Sequence, residues 1–122
     1  MRTVYPILTY PDVRAAIDWL QAAYDCTVHA VHEARDGSVA HAELLLGTGM
    51  IMLGPQRHPR PRPADDEWSL YVAVDDVDTH CARARAAGAE IVRKPSDTDY
   101  GSRDYSARDL AGNVWAFGTY RP

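Results

Sequence analysis

The sequence predicts an α+β fold of two tandem βαβββ modules, forming a curled mixed sheet around a central cavity. Two observations predict it. The chain repeats itself at an offset of 64 residues: Asp12-Val13 returns as Asp76-Val77, Ala22-Ala23 as Ala86-Ala87, Val28 as Val92 and Gly54 as Gly118. Each copy also carries one stretch of helical spacing among several strand-like stretches. Solenoids need about three or more short units to bury a core, so two copies of about 60 residues point instead to one domain over 1–122. Module 1 covers about 1–54, a connector 55–66 and module 2 about 67–122. Such a fold offers a ligand the cleft between its halves.

Residues 3–10 read as a strand, with Pro6 marking an edge or an irregularity. Asp12 caps a helix over about 12–23, where Val13, Ala16, Ile17, Leu20 and Ala23 fall at helical spacing. Strands follow at 27–33, 39–46 and 50–53, joined by turns at Arg35-Asp36-Gly37-Ser38 and Gly47-Thr48-Gly49. The connector has four prolines among basic residues and reads as an extended, solvated segment rather than an anion site. The order then recurs: a strand at 68–74, a helix from Asp76 to about 87 ended by Gly88, a strand at about 90–93, a long turn at 95–102, and strands at about 103–108 and 114–119.

Composition narrows the function. With 46% hydrophobic and 25% charged residues the chain is an ordinary globular one. A formal charge of −4 argues against nucleic acid as a partner. No apolar run reaches the length of about 18 residues that a membrane span needs, and no signal-peptide core precedes the first strand, so a cytoplasmic location without membrane partners is expected. Cys26 and Cys81 make no metal spacing and read as two reduced thiols, with a disulfide left open.

Three segments carry a resemblance. They are Tyr10-Pro11-Asp12-Val13 leading into Ala16-Ile17-Asp18-Trp19-Leu20, then Val72-Ala73-Val74-Asp75-Asp76-Val77 with Ala86-Ala87-Gly88-Ala89, and finally the run from Asp109 to Phe117. In their order they resemble the glyoxalase / bleomycin-resistance / dioxygenase superfamily, the vicinal oxygen chelate proteins. The similarity covers nearly all of the chain except the connector; Leu110 stands where the family usually has proline. The resemblance implies a homodimer and, in the family's metalloenzymes, four His, Glu or Gln ligands around a divalent ion, from the first and last strands of each module.

Carried onto this chain, those four positions are Tyr5, Met52, Ser69 and Ala116. None suits a hard or borderline divalent cation, so no metal and no other cofactor is expected. One displaced site stays open. His41 and Glu43 lie two apart in a strand and share a face, with Val39 and Leu45, opposite Ala40, Ala42, Leu44 and Leu46. They are also the candidate catalytic pair, with Glu43 as base.

Strand alternation puts Tyr5, Ile7, Met50, Met52, Ser69, Tyr71 and Ala116 on the cavity face. Trp115 and Phe117 turn toward the helices. Trp68 edges the opening, and Arg103 and Tyr105 join His41 and Glu43 there if their face is inward, Tyr105 being the 64-residue mate of His41. A lining of tyrosine and methionine suits an apolar or aromatic small molecule, held by burial and stacking. The expected function is therefore metal-independent binding or sequestration of such a molecule. The alternatives are an enzyme of the same superfamily (lyase, isomerase or dioxygenase, on a displaced metal or metal-free acid–base residues) and an accessory domain without a small ligand.

Overall fold

The computed structural model describes residues 2–122, the Ser69 side chain excepted. The chain divides into two compact units between Arg60 and Pro61, inside the proline-rich connector. Each unit holds one helix and one four-stranded mixed sheet.

The first unit runs β1 (Ile7–Tyr10), α1 (Val13–Tyr24), β2 (Thr27–Glu33), β3 (Val39–Leu46) and β4 (Gly49–Pro55). Its strand order is β1-β4-β3-β2, with β1 parallel to β4 and the other pairs antiparallel. The first strand starts only after Pro6, whose carbonyl still accepts from the Met52 amide. The Asp12 carboxylate accepts the Ala15 N–H at 3.0 Å and so opens α1. Val13, Ala16, Ile17, Leu20, Ala23 and Tyr24 are its buried stripe. That stripe meets the sheet face carrying Leu8, Tyr10, Ala42, Leu44, Ile51 and Leu53, all buried. The β2–β3 turn closes on Gly37 at φ 86°, with the Asp36 carboxylate accepting from both the amide and hydroxyl of Ser38. At the start of β3 the expected alternation inverts. Val39 is buried and Ala40 exposed, where the pairing with β2 slips between His32 and Glu33.

The second unit repeats the plan with β5 (Trp68–Ala73), α2 (Val77–Ala86), β6 (Glu90–Asp97), β7 (Arg103–Arg108) and β8 (Val114–Gly118), ordered β5-β8-β7-β6. Asp76 caps α2 through the Thr79 amide and hydroxyl. Gly88, at φ 96°, turns the chain out of the helix in a backbone region that only glycine enters freely. The edge strand β6 continues through Pro95 to Asp97, further than the sequence suggests, because an edge strand tolerates proline and two register breaks. Cys26 and Cys81 are both free and buried.

The connector is exposed along most of its length, as expected, and each end is tied to its own unit. Arg60 donates to the Thr9 carbonyl. Arg62 grips Glu90 at 2.7 Å, and Asp65 accepts from Arg108, whose guanidinium also donates to the Gly112 carbonyl at 2.7 Å.

The β7–β8 turn is organised by one buried carboxylate. Asp109 accepts the backbone N–H groups of Ala111 and Asn113, the Asn113 side-chain amide and the Trp115 indole N–H, at 2.9–3.1 Å. Removing it strands several buried donors, each costing about 1–3 kcal/mol. Asp109→Ala should therefore lower stability by about 3 kcal/mol in urea unfolding followed by tryptophan fluorescence. A loss under about 1 kcal/mol would contradict this role.

Candidate functional site

In each unit the helix covers one face of the sheet, and strand register decides what stands on the other. On the first sheet Met52 lies at the centre of that helix-free face, with Ile7 beside it on β1 and Glu43 on β3. Met50 lies two residues earlier on the same face. Ile7 is 68% exposed, while Met50, Met52 and Glu43 are half-buried. Tyr5 precedes the strand, exposed, with its hydroxyl donating to the Arg2 carbonyl.

His41 and Glu43 do come together. The His41 Nε2 and Glu43 Oε2 are 2.9 Å apart, and His29 approaches the other carboxylate oxygen at 3.9 Å. His32 lies opposite His41 in register, their rings stacked at 5.8 Å. Sequence reading missed His29 and His32. The cause is the break in the β2–β3 ladder between Val28 and Ala30, which leaves His29 out of the pairing, and a bulge re-aims its side chain in this way. The hydrogen bond from His41 holds the Glu43 carboxyl below its ordinary range, desolvation opposing it and the charges of His41, His29 and His32 adding to it. A carboxylate so stabilised is a weak base and a good anchor for an imidazole.

On the second sheet Ala116 takes the place of Met52, with Tyr71 on β5 and Ser106 on β7 as neighbours. Trp68 pairs with Val114 and Tyr71 with Ala116, so the register break after Trp68 puts both aromatics on one face despite their odd spacing. The Tyr71 hydroxyl donates to the Tyr120 carbonyl at 2.7 Å. Gly118 makes room for it, since a Cβ there would stand 2.7 Å from that hydroxyl. Burial pushes the Tyr71 phenol up. Tyr100 meets Tyr120 edge to face at 5.9 Å, adding exposed rings that carried no periodic signal in the sequence. The Ser69 side chain lies outside the described residues.

Two expected residues fall on the helix side. Tyr105 pairs with Phe117 as Ala42 pairs with Leu53. Its structural counterpart is therefore Ala42, not His41. The β7–β8 turn is one residue longer than the β3–β4 turn, and a slip of one residue reverses every side chain of a strand. Tyr105 is fully buried against α2, its hydroxyl hydrogen-bonded to His80 and its phenol pushed far up by burial. Arg103 goes with it, paired to Asp78 and Asp97. Asp104, Ser106 and Arg108 occupy the face instead, all buried, with Asp104 bound to Arg93 at 2.6 Å.

The donor set at the four family ligand positions does not suit a divalent ion. Met52 and Ala116 offer a thioether and a methyl group, Tyr5 a phenol engaged with backbone. Among the described residues no group of three or more His, Cys, Asp or Glu is arranged to hold a metal.

Comparison with known proteins agrees with the architecture. The sequence profile of the Glyoxalase/Bleomycin resistance protein/Dioxygenase superfamily matches residues 2–117, and this chain belongs to that family. Its structure is similar to TioX from Micromonospora sp. ML1, with a TM-score of 0.79 and 31% identity over 99% of this chain and 98% of that one. The fold is shared with a variant of the fosfomycin resistance protein FosX from Listeria monocytogenes, complexed with manganese(II) and 1S,2S-dihydroxypropylphosphonic acid. There the TM-score is 0.75 at 14% identity, covering 96% and 88% of the two chains, which shows the fold alone. CFP32 of Mycobacterium bovis, provisionally named a glyoxylase, is 29% identical over 81% of this chain. This chain spans 38% of that protein's length.

The lowered Glu43 carboxyl has a pH consequence. Glu43 releases its proton more readily in the folded chain than in the unfolded one. Its stabilisation is present above the ordinary value of 4.5 and drains away as pH falls through the lower folded value. Denaturant midpoints measured from pH 6 down to pH 3 should fall more steeply for the parent than for Glu43→Gln. Superimposable acid limbs would count against the His41–Glu43 bond.

Proposed function

We propose that this protein binds and holds a hydrophobic or aromatic small molecule on the helix-free faces of its sheets, without a metal ion and without altering it. The observation that carries the reading is what stands at the centre of each face. Met52 beside Ile7 and Met50 offers adaptable apolar packing, and Tyr71, exposed beside the small Ala116, offers an aromatic ring. These are the strands from which metalloenzymes of the superfamily draw their ligands. His41 and Glu43 supply polar contacts that orient a ligand, while Tyr5 and Trp68 extend the apolar surface. Similarity to TioX over nearly the whole length of both chains goes with a member of the family built on two modules. A homodimer goes with this reading, since the Val28 and Val31 side chains stand exposed for a partner to cover, without any pairing along the β2 edge. Among the described residues no helix is long and apolar enough to cross a membrane.

A second reading, an enzyme of the same superfamily, is favoured by the hydrogen-bonded His41–Glu43 pair. In it the anchored imidazole moves the proton and Glu43 orients it, without Arg103 or Tyr105.

Titration of intrinsic fluorescence against a panel of planar aromatic compounds should show saturable binding, with the ligand recovered chemically unchanged. Met52→Lys, which places an ammonium on the apolar face, should weaken binding tenfold or more, at least about 1.4 kcal/mol. Binding indifferent to that change sinks the assignment of this face, and conversion of the ligand that stops in Glu43→Gln favours the enzyme. Protein purified without chelator should carry substoichiometric metal by elemental analysis. A full equivalent of tightly bound zinc, nickel, iron or manganese excludes metal-independence.

A further inference from the structure

A cavity lies on the helix side of the second unit, away from the helix-free face. It measures about 540 Å³ and is bounded by α2, β6 and the start of β7. Its wall carries three cations, Arg85, Lys94 and Arg103, against one carboxylate, Asp78. Arg103 is already neutralised, donating to both oxygens of Asp78 at 2.9 and 3.0 Å and to Asp97 at 3.1 Å. Arg85 and Lys94 differ, since neither side chain has a carboxylate partner among the described residues.

That is unusual for the second unit, where Arg62, Arg93, Arg108 and Arg121 all find carboxylates, as Arg103 does. The last turn of α2 accounts for Arg85, because a cation is favourable at a helix C-terminus. It does not account for Lys94, which reaches the same cavity from β6 and is the only lysine in the chain. At the cavity's edge Cys81 is buried, and burial pushes its thiol up despite the opposing effect of Arg85. It therefore stays neutral and does not compete for the cations. Two uncompensated charges on one concave wall focus a positive potential into it.

We propose that this cavity binds a small phosphate dianion, either free phosphate or the phosphate of a monoester. The Arg85 fork and the Lys94 ammonium take its oxygens, and the Arg103–Asp78 pair forms the polar wall beside them. The site is independent of the aromatic-ligand reading, because it uses the opposite side of the sheet.

The lone lysine makes a direct test available. The chain has two amines, the Lys94 ε-amine and the N-terminal α-amine, and a mild acylating reagent modifies each at a rate readable by mass spectrometry. Ionic strength is held constant with sodium chloride while inorganic phosphate or phenyl phosphate is added. At about ten times the dissociation constant, phosphate should slow Lys94 acylation about tenfold relative to the α-amine. Arg85→Ala, at an exposed position and checked for folding by circular dichroism, should abolish that protection. Protection at lower concentrations of phenyl phosphate identifies a monoester site, and the reverse order a site for free phosphate. Lys94 reactivity that is equal in phosphate and chloride, or protection that survives Arg85→Ala, overturns the proposal.

Discussion

Everything functional here depends on strand register against a helix that covers only one side of its sheet. A strand exposes alternate residues to opposite faces, so α1 and α2 claim every second side chain for the core. What remains for chemistry is the complementary set. Met52, Ile7, Glu43 and His41 are available because Leu53, Leu8, Leu44 and Ala42 are taken. The same constraint removes Tyr105 and Phe117 from ligand contact and stacks their rings 5.1 Å apart beneath α2.

Most of the fold was legible in the sequence because its signals are local. The capping residues Asp12 and Asp76, the turn at Gly37 and the break at Gly88 all act where they stand. The positions of Met52 and Ala116 were readable too, since the 64-residue offset holds through the strands that carry them. What escaped depended on non-local pairing. One additional residue between β7 and β8 shifts the correspondence in β7 alone, so the repeat that located Ala116 misplaced Tyr105 and Arg103. The pairing break that delivers His29 to Glu43 has no composition of its own. Nor does the connector announce that Arg62 and Asp65 reach Glu90 and Arg108 of the second unit.

The two helix-free faces have diverged in polarity although their geometry is shared. In the first unit the ionisable groups are three imidazoles around one half-buried carboxylate. In the second they are fully committed ion pairs, Asp104 with Arg93 and Arg108 with Asp65 and Glu90. A buried guanidinium surrounded by two carboxylates and a carbonyl is costly to unmake, because removing one partner leaves charge without compensation. The second face is thus electrostatically closed, while the first keeps groups that can still exchange partners.

The irregularity of β2 has a consequence beyond aiming His29. This strand is the outer member of its sheet and is exposed along nearly all of its length. A flat outer strand of that kind is a template on which another chain can add cross-β pairs, and aggregation follows. Two interruptions of the ladder, after Val28 and after His32, twist the strand and leave its outward N–H and C=O groups out of step with any straight partner. The device that gathers the imidazoles therefore also protects this edge from self-templated assembly.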